Sequence, residues 1–220
     1  MLYIVATPIG NLSDISFRAV EILKSVDIIL AEDTRQTKKL LSHYNITEKV
    51  VWSYHARSQQ SSIDSIIAYL KDGKTMALVS DAGTPAISDP GVKLVQCVKE
   101  ENITVLPIPG ASAFVAALSA SGFPSHRFEF LGFLPHKKGR QTFLKMIGES
   151  SHTMIFYEST HRIEKCVDQM HEFFPEKKIC LARELTKIYE EFLIGTPAEI
   201  QKIFQEFPEK KKGEFVVLVH

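Results

Sequence analysis

No stretch of this 220-residue chain approaches the roughly 18–20 consecutive apolar residues of a membrane helix. The start, Met1-Leu2-Tyr3-Ile4-Val5-Ala6, has neither the basic opening nor the long apolar segment of an export signal. Cysteine is scarce: Cys97, Cys166 and Cys180 are odd in number, widely spaced and without a Cys-x-x-Cys pair, which argues against a disulfide framework or a zinc site. These absences together predict a cytoplasmic protein that opens directly on folded structure. The eight histidines include no His-Glu-x-x-His, so no metal is expected. An excess of charge is missing too, since Lys plus Arg (26) equals Asp plus Glu (26), and any affinity for nucleic acid must come from local patches. What the chain does have is core material: 45% hydrophobic and 24% charged residues exclude disorder. Its length exceeds the usual range of one domain, about 100–200 residues, and favours two small ones.

Familiar nucleotide fingerprints are also absent. No Gly-x-Gly-x-x-Gly follows a strand, which disfavours a dinucleotide site and the common methyltransferase fold. Gly73-Lys74-Thr75 matches the end of a phosphate-binding loop, but position 68 is alanine and the tripeptide precedes a strand, so it reads as a turn. Gly110-Ala111-Ser112-Ala113-Phe114 has the serine of a nucleophile elbow without its final glycine, and no later histidine stands in a recognisable motif.

Short β-rich runs alternate with amphipathic stretches, the pattern of α/β architecture with a parallel sheet. Strands are predicted at Leu2–Ala6, Ile28–Ala31, Val50–Ser53, Met76–Ser80 and Ile103–Leu106, with helices near Ile15–Lys24, Thr34–His43, Ser61–Lys71 and Pro90–Glu101. A further helix, Ser112–Ser121, ends at Gly122-Phe123-Pro124, where the domain boundary is drawn: 1–122 and 123–220. The second half reads as strands at Phe128–Phe133, Thr153–Tyr157, Ile179–Arg183, Tyr189–Ile194 and Glu214–Val219, with helices near Arg140–Ile147, His161–Phe174 and Ala198–Phe207. Short connections between its last strands imply a mixed sheet.

Three loops follow strands of the first half: Thr7-Pro8-Ile9-Gly10-Asn11, Ser80-Asp81-Ala82-Gly83-Thr84-Pro85 and Pro107-Ile108-Pro109-Gly110-Ala111-Ser112. Each joins glycine, which admits close backbone approach, to proline, which fixes a turn. One such loop is ordinary; three at the carboxyl ends of parallel strands mark a ligand site. Charged clusters Ala31-Glu32-Asp33-Thr34-Arg35 and Ala182-Arg183-Glu184-Leu185-Thr186-Lys187 also follow apolar strands. Helix capping by Asp33 or Thr34 accounts for part of the first and leaves Glu32 and Arg35 unexplained.

With these blocks in view, and with Pro109 through Gly122, Gly132-Phe133-Leu134-Pro135 and Phe156-Tyr157-Glu158-Ser159 beside them, the chain resembles the tetrapyrrole methylase superfamily over essentially its whole length, in the branch that modifies ribosomal RNA. That resemblance implies a two-domain α/β fold, a parallel five-stranded N-terminal sheet and a mixed C-terminal sheet with a cofactor cleft between them. It implies S-adenosyl-L-methionine as cofactor, a homodimer, and methylation of a cytidine ribose 2′-hydroxyl in the decoding region of 16S ribosomal RNA, with the RNA or the 30S subunit as partner. Carried over by motif, the cofactor residues are Pro8, Asp81, Ala82, Gly83, Ile87, Ser112, Ala113, Phe156, Tyr157, Leu185 and Gly213. The stretch Tyr54-His55-Ala56-Arg57-Ser58 departs from the family's usual Tyr-His-Glu-His-Asn.

On the acceptor side a general base is needed, and a cleft carboxylate or a lysine of lowered pKa serves. Asp14, Glu32, Asp33, Glu184 and Lys187 are available, with Glu184 and Lys187 favoured and Arg35 assigned to RNA phosphate. Lys137, Lys138 and Arg140 form the favoured basic patch for RNA, and Lys210-Lys211-Lys212 is a second basic run. Two rival readings stay open: a small-molecule tetrapyrrole methylase, and a non-catalytic RNA-binding module without a cofactor pocket.

Overall fold

The computed structural model describes all 220 residues and divides into two compact units, Met1–Ser112 and Ala113–His220. In the first, strands β1 (Leu2–Val5), β2 (Ile28–Ala31), β3 (Val50–Ser53), β4 (Met76–Val79) and β5 (Val105–Ile108) form a wholly parallel sheet in the order β3-β2-β4-β1-β5. Strands β2 and β4 are buried at every residue, as strands covered on both faces must be, and both sequences are continuously apolar. Helices α1 (Phe17–Ser25) and α2 (Thr34–His43) share one core with Val5, Ile29, Ala31 and Val79. Helices α3 (Gln60–Lys71) and α4 (Val92–Glu100) share the opposite core with Leu2, Leu30, Met76 and Leu78.

This strand order has a consequence for ligands. The chain leaves β1 toward β2 on one side of the sheet and leaves β4 toward β5 on the other, although β1 and β4 are neighbours. Their carboxyl ends therefore flank a topological switch point, where open α/β sheets form their crevice. Strand β5 begins two residues later than the sequence pattern suggests, because the turn after α4 runs through Asn102 with a φ of 56°. Pro107 is tolerated within it because β5 is an edge strand.

In the second unit, β6 (Phe128–Phe133), β7 (Thr153–Ser159), β8 (Ile179–Arg183), β9 (Glu191–Gly195) and β10 (Glu214–Val219) lie in the order β6-β7-β10-β8-β9. The sheet is mixed, as expected: β6 and β7 are parallel, and the other pairs antiparallel. Helices α6 (Arg140–Glu149), α7 (Ile163–Phe173) and α8 (Pro197–Glu206) cover one face through Leu144, Ile147, Val167, Met170, Ile200 and Phe204. Thr196 and Glu199 form a capping box at the start of α8, with Pro197 at its first position. Helix α5 (Ala113–Ser121), placed with the first domain on its stop signal at Gly122, packs instead on β10, β7 and β8. A stop signal locates the end of a helix and says nothing about which sheet the helix covers.

Candidate functional site

At the switch point the loops after β1 and β4 are stitched together. Thr7 N–H donates to the Gly83 carbonyl at 2.9 Å, and Gly83 N–H returns the bond to Thr7 at 3.0 Å. The buried Thr7 hydroxyl donates to the Ser80 carbonyl at 3.0 Å. Gly83 has a φ of +83°, in the left-handed region that favours glycine. The loop after β5 is tied in by the Thr84 hydroxyl, which donates to the Ala111 carbonyl at 3.0 Å, and by Gly110, where a Cβ would lie 2.8 Å from that of Ala6. Further along the β4 loop, Ala86 and Ser88 hold positive φ values of 67° and 64°. Non-glycine residues in this region cost about 1–3 kcal/mol each and gather at functional sites. Of the predicted cofactor residues, Pro8, Asp81, Ala82, Gly83, Ile87 and Ser112 lie on these three loops, with Asp81, Ala82 and Ile87 exposed.

Carboxylates crowd the same edge. Asp81 Oδ1 accepts from Asp33 N–H at 3.0 Å, joining the ends of β2 and β4. Burial first, then the charges of Glu32 and Asp81, push the Asp89 carboxyl up to about 6 against a hydrogen bond from Ser80. Glu32 is raised likewise, by burial and then by Asp81, with the Asp81 N–H and His55 opposing. Asp89 was not among the residues expected from sequence; only the fold brings it beside Glu32.

Helix α2 starts as its sequence dictates. Asp33 caps it, accepting from Arg35 N–H at 2.8 Å, and binds the Arg35 guanidinium through Nε at 3.1 Å and Nη2 at 2.7 Å. These bonds, the guanidinium's first, hold the Asp33 carboxyl down to about 2. Asp33 is therefore a cap and a partner for Arg35, whose own side chain is 85% exposed. Between this helix and the stitched loops lies a cavity of about 260 Å³, lined by Pro8, Leu12 and Leu40 as well as Gln36, Lys39 and Asp81.

In the second unit, Glu184 (φ 50°) and Thr186 (φ 65°) form a left-handed bend after β8. Glu184 Oε1 accepts from Lys187 Nζ and from Glu214 N–H, both at 2.9 Å, and Lys187 Nζ also donates to Glu214 at 2.8 Å. Gly213 completes the knot: a Cβ there would stand 2.6 Å from Glu184 Cγ. Burial pulls Lys187 down, but the hydrogen bonds of Glu214 and Glu184 outweigh it and the ammonium is raised. Burial raises Glu184, and the Glu214 N–H together with Lys187 more than reverses this. The lowered lysine pKa that a base at this position requires is thus reversed by its partners.

Two other expectations change. Arg140, assigned to RNA phosphate, is 6% exposed. It donates to Glu158 at 3.0 Å, to Gln169 at 2.7 Å and to the Pro135 carbonyl at 3.3 Å. Gly139 turns the chain with a φ of 86° into α6, so the arginine faces inward while Lys137 and Lys138 stay exposed. Phe156 is a fully buried member of the second core, which leaves only its backbone for a ligand, whereas Tyr157 is half-buried against Phe130 and Phe133. Ala113 opens α5, and Leu185 is nearly buried beside Glu184. In the second basic run, Lys210 pairs with Glu191, and Lys211 pairs with Glu164 at 2.6 Å.

Comparison with known proteins matches this arrangement to one family. The model for tetrapyrrole (corrin/porphyrin) methylases matches residues 1–201. A ribosomal RNA small subunit methyltransferase I of Halalkalibacterium halodurans is 51% identical over 99% of this chain and 75% of its own length. The protein of the same name from Xylella fastidiosa is 48% identical over 99% and 80%. Among solved structures, uroporphyrin-III C-methyltransferase from Thermus thermophilus, complexed with S-adenosylhomocysteine, shares the fold. It has a TM-score of 0.64 at 14% identity, covering 99% of this chain and 96% of that one. The chain belongs to the tetrapyrrole methylase family, in the branch of ribosomal RNA small subunit methyltransferase I.

Proposed function

We propose that this chain transfers the methyl group of S-adenosyl-L-methionine to small-subunit ribosomal RNA, and that the acceptor is the ribose 2′-hydroxyl of a cytidine in the decoding region. The observation that carries this reading is the near-half identity to relatives of that name over 99% of the chain. Its setting is the cytoplasm, as a homodimer acting on the 30S subunit or its RNA; no helix is long and apolar enough to cross a membrane.

The residues of the first unit fit the cofactor. Carboxylates that crowd one edge and raise Glu32 and Asp89 favour a cationic ligand, and S-adenosylmethionine carries a sulfonium and an ammonium. When bound, it supplies an electrophilic methyl carbon on sulfur. Ala82 offers backbone on the exposed rim, Asp81 offers a carboxylate, Gly83 holds the buried turn beneath them, and Pro8, Ile87 and Ser112 complete the loops. Family membership keeps Ala113, Phe156, Tyr157, Leu185 and Gly213, all in the second unit, as further candidate cofactor residues.

Transfer to a hydroxyl requires little covalent help, so positioning dominates and stitched loops serve it directly. The proton released from the hydroxyl passes to the Glu32–Asp81–Asp89 cluster. A carboxylate titrating near 6 is ionised at neutral pH and still basic enough to accept. Glu184 and Lys187 act instead as positioning residues that tie β8 to β10. Arg35, Lys137 and Lys138 meet RNA phosphates.

Incubating the purified protein with 30S subunits that lack the modification and cofactor labelled in its methyl tests the reading. The expected outcome is label on one cytidine 2′-oxygen of 16S ribosomal RNA. Label on a base, or transfer to a tetrapyrrole and not to the subunit, contradicts it.

A further inference from the structure

The cavity beside α2 lies at the switch point of the first sheet, and Leu12, Gln36, Lys39 and Leu40 of its lining belong neither to the predicted cofactor residues nor to the predicted phosphate contacts. Its lining combines apolar Pro8, Leu12 and Leu40 with polar Gln36, Lys39 and Asp81. The floor is fixed. Thr7 and Ser80 are locked in the loop-to-loop hydrogen bonds, the Tyr44 hydroxyl donates to the Leu12 carbonyl, and Thr37 is buried in the helix behind. At about 260 Å³ the cavity lies just below the roughly 300–1,000 Å³ of sites for drug-sized ligands, which suits one flat group and its sugar edge and not a macrocycle.

The geometry points to this cavity as the pocket that receives the target nucleotide, with Gln36 reading the base, Lys39 holding its phosphate and Asp81 receiving the ribose hydroxyl. The inference rests on the ribosomal RNA reading above and adds the acceptor's place to it. An unstacked base needs an apolar surface for its face and a donor–acceptor group for its edge. Pro8, Leu12 and Leu40 give the first, and the Gln36 carboxamide, which both donates and accepts, gives the second. Lys39 is exposed at the rim and supplies the charge a flanking phosphate requires. Asp81 is oriented because Asp33 N–H holds one carboxylate oxygen at 3.0 Å. Asp81 and Pro8 also belong to the predicted cofactor set, as a methyl acceptor's pocket demands, since acceptor and donor must share a wall for in-line transfer.

Gln36→Ala, Lys39→Ala and the double variant test the assignment in the full-length protein; both side chains are exposed on α2, so folding is not at stake. Cofactor affinity is measured by calorimetry, and methylation kinetics with unmodified 30S subunits. The expected result is an unchanged cofactor affinity with kcat/KM for the subunit down about tenfold or more in the double variant, the loss of one charged hydrogen bond. Lys39→Arg is expected to restore most of the Lys39→Ala defect. Unchanged kcat/KM with an active wild type overturns the pocket while leaving the methyltransferase reading intact. Lost cofactor affinity overturns it by assigning the cavity to the cofactor. A wild type that leaves the subunit unmethylated overturns the underlying reading, and the pocket's occupant with it.

Discussion

Asp89 concentrates the chemistry of the first unit in one side chain. Its carboxyl is raised to about 6 by burial and by Glu32 and Asp81. A group whose folded pKa lies above its unfolded value supports the fold below the unfolded pKa and loses that contribution as pH climbs through the folded one. The wild type therefore loses stability between the ordinary aspartate range and about pH 6. Asp89→Asn is expected to unfold at a higher temperature than wild type at pH 7, with the difference vanishing near pH 4, and to have a reduced kcat. Thermal denaturation of both proteins across that window checks it, and parallel curves at all pH values contradict it. This residue also marks where sequence reading stops. The blocks around Asp81 and Gly83 are legible because glycine and proline advertise a constrained loop, whereas a carboxylate's pKa depends on neighbours far along the chain. For the same reason Lys187 looks like a base in sequence and is a protonated strut in the structure.

Elements were more legible than residues. Strands β2, β3, β6, β8 and β10 fall where apolar runs are bracketed by turn or charged residues, and α2 runs from its Asp33 cap to His43 as read. The start of α6 was legible in position and misleading in meaning. His136-Lys137-Lys138-Gly139-Arg140 looks like one basic patch, yet the left-handed glycine divides it, and Arg140 ties α6 to β7 and α7. Glu158 has no exposed side-chain surface and also pairs with Arg162 at 2.7 Å. Arg140→Ala should destabilise the protein by about 1–3 kcal/mol, because it removes one of the two cations that face the buried Glu158 carboxylate and leaves Arg162 as the other. Lys137→Ala with Lys138→Ala should leave stability unchanged and lower the salt dependence of RNA binding by about two counterions. Denaturant titration and binding at several salt concentrations separate the two effects; an Arg140→Ala protein of normal stability contradicts the buried-pair account.

At the scale of the whole molecule, neutral net charge hides a division of labour: a carboxylate-lined edge in the first unit and exposed Lys137 and Lys138 in the second. The two-unit α/β architecture followed from strand spacing, but the place of α5 did not, because packing partners of a small-residue helix leave little trace in its own sequence. The central claim is that this chain places one methyl group on a ribose of the decoding region. Mapping 2′-O-methylation across 16S ribosomal RNA from cells with and without the protein tests it most directly. The account predicts that one decoding-region cytidine loses its 2′-O-methyl group in the deletion strain and regains it when the wild-type protein is restored. An unaltered methylation map would contradict it.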